Sequence, residues 1–387
     1  MRMIPYGHQD VSEDDIRAVE GVLRSDWLTQ GPAVERFERV VSEYCGAPHA
    51  LAVCNATAAL HLACRALGVG AGDLVWTSPN TFVASANCGR YCGADVDFVD
   101  IDVQTGNMSV AELERKLEAA ERERCLPKVV IPVHFAGEPC DMKTIHELAI
   151  RYGFSVIEDA SHAVGARYHD TVVGSCTYSD ITVFSFHPVK IITTGEGGMA
   201  LTRNRDLHEK MLMLRSHGIT RDPAKMTGAS EGPWYYQQLE LGYNYRMTDI
   251  QAALGASQMQ RLDAFVARRH EIAQRYDKEF RDLPLSLPVR EPRNVSALHL
   301  YVVNVREGTN GRNRSQVFEA LRNAGIGVNV HYIPVHLQPY YRSLRFKPGD
   351  FPTSERYYAH AISLPMYSGL TNEDQNCVIQ SLRRVFS

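Results

Sequence analysis

Phe184-Ser185-Phe186-His187-Pro188-Val189-Lys190-Ile191-Ile192-Thr193-Thr194-Gly195-Glu196-Gly197-Gly198 is the stretch that decides the fold. An apolar run breaks at Pro188, a lysine follows, and a glycine-rich turn closes the segment. This is the pattern of a buried strand delivering its carboxyl end to a loop. The chain has eight lysines, and Lys116, Lys210 and Lys278 lie in polar helical runs. Lys190 stands at the end of an apolar strand instead. Burial in low dielectric lowers a lysine's pKa, and an amine free of its proton is what a Schiff base needs. A lysine snorkelling from a strand end is the plainer alternative, and for an isolated lysine it usually wins. Lys128 also borders an apolar strand, but on its leading side and without a glycine turn, so it reads as structural.

Working outward, short apolar runs alternate with helical ones. Residues 50–53, 74–77, 96–99, 128–133, 154–157, 181–186 and 199–202 read as strands, and residues 58–67, 82–92 and 142–152 as helices. That alternation predicts an α/β fold with a mostly parallel sheet covered on both faces. Two helices precede it. Ser12 caps the first, with Asp15 three residues on, and Ile16, Val19 and Leu23 form its apolar stripe. The second follows Pro32, turns Val34, Phe37, Val41 and Tyr44 inward, and stops at Gly46. Beyond residue 249 the texture changes. A long helix over about 248–280 links a large domain, residues 1–255, to a smaller C-terminal α/β domain, residues 256–387. In that second domain residues 298–305 and 327–332 read as strands, and 315–324 and 372–385 as helices.

Two further motifs carry chemistry. Val156-Ile157-Glu158-Asp159-Ala160-Ser161-His162 ends a buried strand with an acidic pair, where open α/β sheets bind their ligands. A pyridine cofactor works as an electron sink only while its nitrogen keeps a proton, and Asp159 is placed to hold it. The plainer role is an N-cap. Cys54-Asn55-Ala56-Thr57-Ala58-Ala59-Leu60 is a small-residue turn between a strand and a helix, where free N–H groups and the helix dipole favour a phosphate. Gly68-Val69-Gly70-Ala71-Gly72 follows a helix and reads as a turn, not as a dinucleotide fingerprint. Trp234-Tyr235-Tyr236 and His331-Tyr332-Ile333-Pro334-Val335-His336 read, each alone, as core or rim.

The composition sets outer limits. With 387 residues, 44% hydrophobic and 22% charged, the chain is that of a globular protein. A net charge of -4 gives no field to attract nucleic acid. The opening residues 1–8 hold no apolar run, so neither a signal peptide nor a membrane span is expected there. Nine cysteines without a CxxC pair fit reduced thiols and a cytoplasmic location, with no metal site.

Taken in order, these segments resemble the DegT/DnrJ/EryC1/StrS family of pyridoxal phosphate-dependent sugar aminotransferases. The resemblance also rests on Trp27-Leu28-Thr29-Gln30-Gly31-Pro32, Thr81-Phe82, Val133-His134 and Gly242-Tyr243-Asn244-Tyr245-Arg246-Met247-Thr248-Asp249. It implies a fold-type-I transferase homodimer with shared active sites. Lys190 would carry the cofactor and then act as base, Asp159 would hold the pyridine nitrogen, and Phe82 would stack on the ring. Thr57, Ala58 and Ser185 would bind the phosphate, helped by Asn244 of the partner, and His162 would lie near the ring's phenolic oxygen. Thr29, His331 and Tyr332 would meet the sugar. Relatives with histidine in place of the lysine are dehydratases, and Lys190 is present here. Many relatives carry glycine at the position of Ala56; backbone N–H groups would still bind there. His187-Pro188-Val189-Lys190, the Trp234 cluster and His331-Tyr332-Ile333-Pro334 resemble the branch that moves nitrogen from L-glutamate to C4 of a UDP-4-keto-6-deoxy-N-acetylhexosamine, a step toward pseudaminic acid. Two alternatives stand beside it: the same chemistry on a GDP- or dTDP-linked 4-keto or 3-keto hexose, and a non-catalytic sugar-nucleotide sensor. A sensor would have no need of Lys190 beside Asp159.

Overall fold

The computed structural model describes residues 3–306 and 312–387. The chain opens with α1 (Glu13–Leu23) and α2 (Pro32–Cys45), then alternates: β1 (His49–Val53), α3 (Ala56–Ala66), β2 (Leu74–Thr77), α4 (Ala84–Tyr91), β3 (Asp95–Phe98), α5 (Val110–Glu123), β4 (Val129–Ile131), α6 (Met142–Tyr152) and β5 (Ser155–Asp159). A small hairpin follows, β6 (Arg167–Tyr168) with β7 (Thr171–Val172), and then β8 (Ile181–Ser185), β9 (Gly198–Thr202) and α7 (Arg205–Arg215). A second short pair, β10 (Ile219–Thr220) and β11 (Gln237–Gln238), precedes α8 (Asp249–Met259) and α9 (Leu262–Glu279). The remainder comprises β12 (Leu285–Ser286), β13 (Tyr301–Val305), α10 (Arg314–Asn323), α11 (Pro339–Leu344), α12 (Pro352–His360), β14 (Ala361–Leu364) and α13 (Asn372–Phe386).

The main sheet has seven strands in the order β1-β9-β8-β5-β4-β2-β3. All neighbours run parallel except β9, which is antiparallel to both β1 and β8. The expected α/β class and mostly parallel sheet are therefore what the chain adopts. Apolar side chains pack on both faces of the sheet, with Leu51, Val75, Val129 and Ile157 on one side and Phe37, Ala52, Phe184 and Met199 on the other. A separate three-stranded antiparallel sheet, β12-β13-β14, has its own core around Tyr301, Val303 and Ile362.

Local signals explain most element starts. Ser12 caps α1 in a full capping box with Asp15, so the expected acidic partner closes the cap. The 248–280 stretch forms two helices, with Gln260 and Arg261 between them. α9 contributes Leu262 and Phe265 to the large-sheet core and Ile272 and Tyr276 to the small-sheet core. The Ile16 and Leu23 stripe of α1 is exposed, at 50% and 57%. One strand expectation needs correction. Residues 327–332 form no ladder; they touch β14 at a single bridge, Asn329 to Ser363. The N-terminal segment takes that edge instead, with Ile4 N–H donating to Gly325 O and Gly327 N–H to Ile4 O.

Candidate active site

β5 and β8 are parallel neighbours in mid-sheet, so their carboxyl ends open on the same edge. β5 ends in Glu158 and Asp159; β8 ends in Ser185, and Lys190 sits on the loop beyond. That loop is tied back to the strand. Lys190 N–H donates to His187 O at 2.8 Å, and Thr194 N–H and Thr193 Oγ1 both donate to Phe186 O at 3.0 Å. The Lys190 side chain keeps some contact with solvent. Its amine is nevertheless crowded enough that burial pushes it down to about 8, against the opposing pull of Asp159.

Asp159 is buried, and its carboxylate is held by hydroxyls rather than by a cation. Oδ2 accepts from Ser85 Oγ at 2.6 Å, and Oδ1 from Ser161 Oγ at 2.6 Å and Ser161 N–H at 3.1 Å. No lysine, arginine or histidine forms an ion pair with it among the described residues. Its neighbour Glu158 points the other way and takes a hydrogen bond from His134 Nε2 at 2.8 Å. His134 Nδ1 accepts from Cys140 N–H at 3.1 Å, which puts the ring proton on Nε2.

His162 is the hub of the wall facing Lys190. Its Nδ1 accepts from Ala136 N–H at 3.3 Å, and its Nε2 lies 3.0 Å from Tyr332 Oη. Because Nδ1 is an acceptor, the neutral ring carries its proton on Nε2 and donates it to Tyr332. The Tyr332 hydroxyl hydrogen is then free for another acceptor. Burial, then the positive neighbour Lys190, holds His162 well below the ordinary histidine value. The same two causes push His331 down to about 3, and its Nδ1 meets Ser363 Oγ at 2.7 Å. A third ring, His299, packs 4.4 Å from His162 and is kept neutral chiefly by burial. Three imidazoles, all held below the ordinary histidine value, thus lie within electrostatic reach of the Lys190 amine.

A separate corner gathers anion-binding groups. Ser185 pairs with Gly198 across β8 and β9. Gly198 in turn lies so close to the start of α3 that a Cβ there would meet Ala56 N and Asn55 C at 2.5 Å. Asn55 caps α3, its Oδ1 accepting the Ala58 N–H at 2.8 Å. This uses the Ala58 donor and leaves the N–H groups of Ala56 and Thr57 at the exposed end of the helix dipole. The Thr57 and Ser185 hydroxyls have no hydrogen-bond partner among the described residues.

Three other expected residues are exposed in the single chain. Phe82, just before α4, is 60% exposed. Asn244 is exposed, bridges to Ser216 through its backbone, and makes no side-chain hydrogen bond among the described residues. Thr29 is exposed and bridges to Thr248 at the start of α8. Sequence reasoning missed Ser85, Ser161 and His299. Ser161 had a signal, since serine two residues after an aspartate is a common partner for it. Ser85 and His299 had none.

The family model of the DegT/DnrJ/EryC1/StrS aminotransferases matches residues 9–383. The chain belongs to that family. The curated spore coat polysaccharide biosynthesis protein SpsC of Bacillus subtilis is 42% identical over 385 residues, covering 99% of this chain and 97% of SpsC. Among solved structures, Helicobacter pylori PseC, an aminotransferase involved in the biosynthesis of pseudoaminic acid, superposes with a TM-score of 0.91 at 30% identity, covering 100% of this chain and 99% of PseC. The sugar aminotransferase Spr1654 of Streptococcus pneumoniae in its PLP form gives 0.88 at 30% identity, over 99% and 98% of the two chains. DegT/DnrJ/EryC1/StrS aminotransferases depend on pyridoxal phosphate, and Spr1654 has been solved in PLP and PMP forms. The groups described above fit that cofactor. Asp159 is a buried carboxylate without a cation, Lys190 is an amine near neutrality, and a helix N-terminus with two unused hydroxyls suits a phosphate.

Proposed function

We propose that this chain is a pyridoxal phosphate-dependent aminotransferase that moves the amino group of L-glutamate to C4 of a nucleotide-linked 4-keto-6-deoxy sugar. The observation that carries the proposal is the Lys190 amine, on the loop after β8, beside the buried Asp159 carboxylate that ends the adjacent parallel strand β5. When bound, the cofactor supplies an electron sink for the carbon that exchanges its nitrogen. Asp159, oriented by Ser85 and Ser161, holds a proton on the ring nitrogen. Thr57 and Ser185, with the free N–H groups of Ala56 and Thr57, would hold the phosphate, helped by Asn244 of the partner subunit; the Ala58 N–H expected beside them is taken by the Asn55 cap. Phe82 would stack on the ring, and His162 would lie near its phenolic oxygen. Lys190 Nζ, at about 8, accepts and returns a proton near neutral pH, which is what reversible general acid–base catalysis requires. Thr29, His331 and Tyr332 face the sugar, and Tyr332 offers the hydroxyl hydrogen that His162 leaves free.

The substrate that fits the PseC likeness is UDP-2-acetamido-2,6-dideoxy-β-L-arabino-hexos-4-ulose, whose amination leads toward pseudaminic acid. The 42% identity to SpsC favours a second reading, the same chemistry on another nucleotide-linked keto sugar. Incubation with L-glutamate and UDP-, GDP- and dTDP-linked keto sugars, with the amino sugar identified by NMR, decides between them. The first reading expects a 4-amino product from the UDP sugar alone. If no sugar is aminated and no 2-oxoglutarate appears, the aminotransferase assignment fails in favour of a sensor.

A further inference from the structure

α3 and α4 pack against each other on one face of the main sheet and bring three thiols together. Cys64 on α3 and Cys88 on α4 are fully buried, and Cys92, which ends α4, is half-buried. The Cys64 thiol lies within hydrogen-bonding reach of both of the others. Cys88 Sγ also donates to Ser85 O at 3.3 Å, so its hydrogen is used along its own helix. His61, three residues before Cys64, is buried; its Nδ1 meets Tyr245 Oη at 3.2 Å and its Nε2 has no hydrogen-bond partner. The imidazole lies beside the Cys92 sulfur, and Arg65 adds positive charge there. The Cys64 hydrogen bond, then His61 and Arg65, pull the Cys92 thiol below the ordinary thiol value against its burial. Cys64 is pushed up by Cys88, Cys92 and burial, so it keeps its hydrogen and donates it. The last carbonyls of α4 work against a thiolate, which leaves Cys64, His61 and Arg65 to stabilise it. Among the described residues no three such side chains are arranged to hold a metal ion.

We propose that Cys92 is an oxidant-reactive thiol and Cys64 its resolving partner, so that hydrogen peroxide closes a disulfide between α3 and α4. The Cys92 thiolate attacks one peroxide oxygen, the O–O bond breaks, and hydroxide leaves and takes a proton from solvent. Cys92 is then a sulfenic acid. The Cys64 sulfur attacks the Cys92 sulfur, and the sulfenic hydroxyl departs as water with the Cys64 proton. Two thiols are oxidised and one peroxide is reduced to two waters. Cys88 is the nearer cysteine in sequence but the wrong partner. Neighbours one turn apart on a helix hold their Cβ atoms about 5–6 Å apart, whereas a disulfide spans about 3.5–4.5 Å. Cys64 approaches from another helix and has no such restriction. The bridge would join the helix whose N-terminus forms the anion-binding corner to the helix that carries Ser85. The proposal does not depend on the amino-transfer reading.

The test is peptide mapping by mass spectrometry of the native full chain after brief exposure to a small excess of hydrogen peroxide. A Cys64–Cys92 cross-link that dithiothreitol reverses is expected. Cys64→Ser keeps a donor beside Cys92 but cannot form the bridge; it should stop at a sulfenic acid on Cys92 that dimedone traps. A Cys88–Cys92 bridge, or no dimedone adduct at Cys92 in Cys64→Ser, overturns the proposal. A second measurement needs no variant. Cys377 is the exposed thiol, so exposure by itself predicts that it reacts first. At pH 6.5 iodoacetamide should instead alkylate Cys92 severalfold faster than Cys377, because more of Cys92 is thiolate there, although a more acidic thiolate is a weaker nucleophile. Equal rates, or Cys377 ahead, overturn the proposal, as does peroxide that oxidises Cys377 and leaves Cys92 unmodified. Both wild-type measurements stand even where Cys64→Ser does not fold.

Discussion

Lys190, the proposed catalytic residue, works against the fold that holds it. In the cofactor-free chain its folded value of about 8 lies below the ordinary lysine value of 10.5. The unfolded chain therefore keeps that proton more tightly than the folded one. Below about pH 8 both states are protonated and the full cost of burying the charge is felt; the cost fades as pH rises from about 8 to 10.5. Lys190→Met should abolish amino transfer and stabilise the cofactor-free protein by about 2–3 kcal/mol at pH 7, with the gap closing above pH 8. Melting curves across that range check it, and a gap that stays constant with pH would contradict the burial account. Tyr332→Phe removes the oxygen that accepts from His162 Nε2. The stranded donor should cost about 1–3 kcal/mol, and kcat should fall about tenfold, as expected of one lost hydrogen bond of this kind. A stability loss with kcat unchanged would make Tyr332 structural only. Lys190 and Asp159 were legible in the sequence because reactive residue types stood at the ends of apolar strands, a local pattern. Ser85 was not, because it meets Asp159 across 74 residues of chain and nothing local marks it. His299 reaches His162 from the loop before β13 and was equally silent.

The strands and helices around the main sheet were legible for a related reason. Buried parallel strands are continuous apolar runs, and that signal is strong in β2, β4, β5 and β8. It weakens at edges, where one extended segment can pair with several others. Residues 327–332 have strand-like composition, yet the N-terminal segment occupies the edge they would need. The glycine turn after Lys190 was visible as a turn, but its tertiary purpose was not. Gly198 begins β9, and its bare Cα lets that strand press against the start of α3. Gly198→Ala would drive a Cβ to 2.5 Å from Ala56 N and Asn55 C, both of them backbone atoms that cannot swing aside. The variant should lose about 2–4 kcal/mol, typical of overpacking against rigid backbone. It should also lose phosphate affinity, because the Ala56 and Thr57 donors would be displaced. Urea unfolding and cofactor retention on dialysis measure the two effects. A variant of native stability that keeps its cofactor would show that the close approach has no such role.

At the scale of the whole molecule, a single chain leaves apolar surface that its own core does not use. Leu241 is 77% exposed, Trp234 72%, Trp27 55% and Leu23 57%. These positions are connected through α8. α1 packs along it, Leu28 O accepts from Asp249 N–H at its start, and the segment carrying Leu241 and Asn244 leads directly into it. Exposed apolar surface gathered in one region marks an interface, and the exposed Asn244, whose side chain makes no hydrogen bond among the described residues, lies on the same segment as Leu241. The apolar stripe of α1 was legible in the sequence as a helix face but not as an outward one, because periodicity shows that a face is apolar and not what covers it. In the proposed homodimer with shared active sites, burying this face would complete both. Leu241→Asp puts a carboxylate into that interface, where a buried unpaired charge costs several kcal/mol, so dimer affinity should fall by roughly 100- to 1000-fold. Light scattering at micromolar concentration should then show monomers. Cofactor affinity and amino transfer should fall together, because each site has lost the partner's Asn244. Asn244→Ala should lower cofactor affinity while leaving the dimer intact, which separates the contribution of the side chain from that of assembly. A Leu241→Asp protein that stays dimeric, or a monomer of full activity, would place the shared surface elsewhere.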